Sequence, residues 1–86
     1  MPEISRFYGI IIAIFYNEHN PPHFHARYGG QKVAININNL NVLDGEIQPR
    51  ALSMVIEWAS LHKEELLKDW ELAKENQPPQ KIAPLK

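Results

Sequence analysis

Two adjacent glycines, Gly29 and Gly30, separate two runs in which apolar and polar side chains alternate, and this pattern constrains the fold more than any other feature. Before them, Phe24, Ala26 and Tyr28 fall on one side of an extended chain, and His23, His25 and Arg27 on the other. A two-residue turn at the glycines pairs Tyr28 with Gln31, Arg27 with Lys32, Ala26 with Val33, His25 with Ala34, Phe24 with Ile35 and His23 with Asn36. In that register one face is largely apolar, while the histidines, Arg27, Lys32 and Asn36 share the opposite face.

The flanking segments extend the pattern. Residues 5–16 are rich in isoleucine and aromatics, with apolar side chains at both parities, which predicts one central strand covered on both faces. Residues 17–22, ending in Pro21-Pro22, break it, because proline donates no hydrogen bond to a ladder. Asn38, Asn39 and Asn41 are turn material, and residues 42–47 supply a further strand around Asp44-Gly45. Pro49 suits the first turn of a helix. Beyond it Leu52, Val55, Ile56, Ala59, Leu66, Trp70 and Ala73 recur at helical spacing, with Glu57, Glu64, Lys68, Asp69 and Glu75 facing away. The helical region runs to about Asn76, and the polar residues at 60–63 favour two helices over one. The expectation is an α+β domain: a small antiparallel sheet of three or four strands, then a C-terminal helical hairpin or helix packed on one face. The domain covers residues 1–76. Residues 77–86 form a short basic tail, either disordered or docked through Ile82 and Leu85.

Composition narrows the function classes. Eighty-six residues suffice for one core and not for two ordinary domains. The chain has no cysteine, so a thiolate metal site, a cysteine nucleophile and a disulfide framework are all excluded. The longest strongly apolar run, residues 10–15, is far short of the roughly 20 residues that span a bilayer. The N-terminus lacks the basic start and apolar stretch of a signal peptide, so the expected location is cytoplasmic, with no membrane association. Net charge is −1, and no broad basic field favours nucleic acid. Any RNA or phosphate binding has to come from a local patch.

A longer set of residues carries a family resemblance. Arg6-Phe7-Tyr8-Gly9-Ile10, His19-Asn20-Pro21-Pro22-His23-Phe24-His25-Ala26, Tyr28-Gly29, Glu57-Trp58-Ala59, Leu61-His62, Glu65-Leu66-Leu67, Trp70 and the ending Lys81-Ile82-Ala83-Pro84-Leu85 together resemble the small bacterial domain of unknown function 4160 family. The resemblance covers nearly the whole chain. It implies a stand-alone bacterial protein that works with a small partner encoded in the same operon, in an arrangement similar to a toxin-antitoxin module. It carries over no catalytic residues.

Three histidines within seven residues support three readings. His19, folding over His23 and His25, completes a three-histidine set for zinc or another divalent metal; apart from Glu18, no nearby carboxylate has ligand spacing. Without metal, His23, His25 and Arg27 become catalytic groups, with Lys32, Asn36, Asn20 and Tyr8 binding phosphate or substrate, and Tyr8, Tyr16 and Tyr28 offering stacking surfaces for RNA. In the third reading the histidines are structural or dock a partner, and His19 and Asn20 hydrogen-bond the loop. His62, Trp58 and Trp70 read as interhelical or core residues. The sequence obliges no cofactor, and it leaves open whether the chain is an enzyme and what its oligomeric state is.

Overall fold

The computed structural model describes residues 2–86. Five strands form one antiparallel sheet in chain order: β1 (Glu3–Phe7), β2 (Ile10–Ala13), β3 (His23–Tyr28), β4 (Gln31–Asn36) and β5 (Val42–Glu46). Two helices follow, α1 (Pro49–Leu61) and α2 (Lys63–Lys74). The α+β class is as expected, but the sheet has five strands, not three or four.

The extra strand arises because the segment expected to run as one strand over residues 5–16 folds back between β1 and β2, and β2 ends at Ala13. Tyr8 and Gly9 take positive φ values of 51° and 79°, turning the chain back so that Phe7 pairs with Ile10 and Arg6 with Ile11. The apolar residues at both parities had concealed this turn. Ile10, Ile12 and Ile14 enter the core, whereas Ile11 and Ala13 line the opposite face of the sheet.

The β3–β4 hairpin has the register expected from its alternation, from His23 opposite Asn36 to Tyr28 opposite Gln31. Gly29 takes the positive φ of the turn, 59°. The asparagine stretch then closes the next turn: the Asn36 side-chain oxygen accepts the backbone N–H groups of Asn38 and Asn39, and that of Asn39 accepts from Asn41. Asparagine provides such short-range acceptors, which compete with ladder pairing.

The helices cover one face of the sheet. Trp58, Val55, Ala59, Leu66, Trp70 and Ala73 bury against Ile4, Ile10, Ile12, Phe24, Val33 and Ile35, the ring of Phe7 lying 5.5 Å from that of Trp58. Full burial of each such aliphatic side chain contributes about 1.5–3 kcal/mol. Pro49 stands at the start of α1, where its missing N–H costs nothing. The break between the helices falls at His62, and α2 begins with Glu64 and Glu65 near its positive end and finishes with Lys74. Asn76, at φ 58°, ends α2: its N–H donates to Ala73 and that of Gln77 to Leu72, satisfying two carbonyls of the last turn.

Asp69, expected to face away from the core, is instead buried. Its Oδ1 accepts the backbone N–H of Gln80 at 2.8 Å and so fixes the start of the C-terminal segment. That segment docks. Ile82 is buried and donates its N–H to Ile4, and the indole N–H of Trp58 donates to the Ala83 carbonyl. No helix is long and apolar enough to cross a membrane among the described residues.

Candidate metal centre on the histidine hairpin

The sheet face away from the helices carries the second set of alternating residues. Across it run Ala13, His25, Ala34 and Asp44 in one row, and Ile11, Arg27, Lys32 and Glu46 in the next. The small side chains beside His25 leave a shallow groove of about 280 Å³, lined by Ile11, Ala13, Phe15, His25, Arg27, Lys32, Ala34 and Asp44 among others. Gly45 allows β5 to close the groove. At φ 76° it pairs with Val33, two residues beyond the β5 irregularity at Leu43, and a Cβ there would stand 2.3 Å from the Lys32 carbonyl oxygen.

At the start of β3 the chain between β2 and β3 turns back over this face. Asn17 takes a positive φ of 59°, and the peptide bond before Pro21 is cis. The turn brings Glu18 over the two strand histidines. Its Oε1 lies 2.7 Å from His25 Nε2 and 3.5 Å from His23 Nε2. One ligand atom from each of Glu18, His23 and His25 lies within 4.8 Å of the others. Donors about 2 Å from a tetrahedral ion stand about 3.3 Å apart, a spacing bracketed by the two Glu18–histidine distances of 2.7 and 3.5 Å.

The hydrogen bonds define what each ring presents. His23 Nδ1 lies 2.8 Å from the Pro21 carbonyl, which can only accept, so Nδ1 carries a proton. In the neutral ring Nε2 is then a bare lone pair aimed at a carboxylate oxygen. A metal ion shared by these two acceptors, or a proton on Nε2, would relieve their repulsion. His25 Nε2–H donates to Glu18, so this nitrogen gives up its proton, to Nδ1 or to solvent, before it can bind an ion. Desolvation by burial holds the His25 pKa below its ordinary value, outweighing the opposing pull of Glu18, while the nearby His23 and Lys32 add to the lowering. Burial acts to raise the Glu18 pKa, but the hydrogen bonds and charges of His25 and His23 outweigh it and hold the carboxyl below its usual range. A neutral imidazole and an ionised carboxylate are the forms that bind metal.

Aromatic rings hold the imidazoles in place. Phe15 packs on His25 with centroids 4.4 Å apart, and Trp70 from α2 lies 5.1 Å from the His23 ring. His23 and His25 meet edge to face at 5.1 Å.

The expected three-histidine set is therefore corrected: His19 is exposed and stands outside the cluster, and its neighbour Glu18 takes that place. Consecutive side chains on this turn diverge, so only one of the two can cover the hairpin. Asn20 is also exposed, and the Asn36 side chain is occupied by its own turn. Tyr8 projects from the β1–β2 turn into a different depression, shared with Tyr28, Arg50 and Leu85, away from the histidines. Arg27 and Lys32 do line the histidine groove. His62 sits between the helices, bound to Glu65 and packed on Trp58. Trp70 as a support for His23 was not foreseen; no spacing rule links residues so far apart in the chain.

The sequence model described as "Domain of unknown function (DUF4160)" matches residues 9–71, and the chain belongs to that family. No curated protein and no solved structure matches it.

Proposed function

We propose that this member of the DUF4160 family binds a divalent transition metal through Glu18, His23 and His25, and that this centre is the working site of one component of a two-gene, toxin-antitoxin-like module. The observation that carries the metal reading is the Pro21 carbonyl on His23 Nδ1, which turns the Nε2 lone pair toward Glu18 Oε1 at 3.5 Å. Metal-binding histidines commonly donate their other N–H to such a carbonyl, which fixes tautomer and orientation. A two-histidine, one-carboxylate set leaves coordination positions open, and an ion held this way activates water or polarises a bound oxygen. The two-gene assignment rests on what the family resemblance implies about a partner encoded in the same operon.

Zinc titrated into the protein at neutral pH tests the metal half. One-to-one binding that raises the melting temperature is expected, and it should vanish in His23→Ala. A flat titration overturns it. For the module, one of the two neighbouring gene products is expected to arrest growth when expressed alone in a bacterium, with relief by the other; no arrest by either, with both proteins folded, contradicts it.

The 2.7 Å contact between His25 and Glu18 favours a second reading, in which the pair is a metal-free general base. Activity that survives a strong chelator would select it.

A further inference from the structure

We infer that the groove beside the histidine centre binds a phosphodiester of single-stranded nucleic acid, with Arg27 and Lys32 as the phosphate clamp. The inference deepens the reading above and rests on it for the identity of the working site. Arg27 and Lys32 stand directly opposite each other on β3 and β4. Like charges at opposed positions of an antiparallel pair repel. Among the described residues neither has a carboxylate within ion-pairing distance, whereas Arg6 in the same row is engaged by Glu3 at 2.8 Å. An anion between the two cations would relieve that repulsion, and a guanidinium presents the paired N–H groups that suit phosphate oxygens.

The surroundings favour a strand over a small phosphate. The groove is open along the sheet and floored by Ile11, Ala13 and Ala34, with Phe15 at its rim and the exposed Tyr16 next in the chain. Apolar and aromatic surface beside a phosphate clamp is how sheet faces hold unpaired bases. Asp44 lines the outer side of the groove, and Glu46 stands opposite Lys32. Among the described residues, positive charge in this row without an ion-pair partner is thus confined to β3 and β4, which limits the clamp to one or two phosphates and excludes binding by a broad basic field. His25 lines the same groove and belongs to the centre, so a phosphate held by Arg27 and Lys32 sits next to it.

The test is fluorescence anisotropy with a labelled oligouridylate, using protein with and without zinc. Wild type is expected to bind the oligomer, and Arg27→Ala and Lys32→Ala should each weaken binding by about tenfold and lower the salt slope by about one. Both residues are exposed, and melting curves verify that the variants fold. Zinc stoichiometry should be unchanged in them. Inorganic phosphate competing as well as the oligomer overturns the strand assignment, as does duplex bound more tightly than single strand. Loss of zinc binding with oligomer binding intact removes the metal centre and leaves the clamp. Zinc binding with no oligomer binding, or binding indifferent to both substitutions, removes the clamp and leaves the metal centre.

Discussion

The indole of Trp70 lies against the imidazole of His23, ring centroids 5.1 Å apart, so a residue of α2 reports directly on the proposed centre. Zinc addition is expected to change tryptophan emission in wild type. Trp70→Phe should abolish most of the response. Trp58→Phe should retain it, because Trp58 packs on His62 and Phe7 instead. A zinc response that persists unchanged in Trp70→Phe would place the ion elsewhere.

Acid should weaken both the fold and metal binding through the same two side chains. His25 and Glu18 both have folded-state pKa values lowered from their ordinary 6.5 and 4.5. For groups of that kind the unfolded chain takes up more protons as pH falls, so their contribution is full at neutral pH and lost on acidification. The His25 part begins to fall as pH drops below 6.5 and the Glu18 part below 4.5. Asp69 has the opposite sign. Burial, opposed by the Gln80 hydrogen bond, raises its pKa from 3.8, so its contribution is largest in acid and fades as pH rises through the raised value. Melting temperatures followed from neutral to acid pH should decline first near 6.5, and His25→Ala should flatten that first step. An unchanged profile in His25→Ala would contradict the assignment.

The close approach of β5 to the β4 backbone sets a contrast between two glycines. Gly45→Ala places a methyl group 2.3 Å from the Lys32 carbonyl oxygen at a φ of 76°, where both strain and collision oppose it. A loss of about 2–4 kcal/mol is expected, read by denaturant unfolding. Gly30→Ala meets nothing within 4 Å and has no positive φ, so its effect should stay within about 1 kcal/mol. Equal costs at the two positions would mean that β5 does not pair as described.

Much of this arrangement was legible in the sequence, and the reasons are local. The β3–β4 register followed from period-two alternation around Gly29-Gly30, and the helix break from the polar residues near His62. The β1–β2 turn was hidden because Tyr8 adopts positive φ, which its residue type does not advertise, and because the isoleucine run is apolar on both faces. Asp69 was assigned to the surface by its charge; its hydrogen bond to Gln80 depends on the docked C-terminal segment, a tertiary fact. At the site, alternation placed His23, His25, Arg27 and Lys32 on one face. The choice between Glu18 and His19 was set by the backbone of an irregular turn, beyond the reach of strand periodicity.

The most direct test of the metal centre is a crystal structure of zinc-loaded protein, read by the anomalous signal at the zinc absorption edge. The account predicts one strong peak bonded to Glu18 Oε1 and to the Nε2 atoms of His23 and His25, at about 2.0–2.2 Å, with His23 Nδ1 still donating to the Pro21 carbonyl. A peak at His19 or His62, or none at the hairpin with zinc in excess, would contradict it.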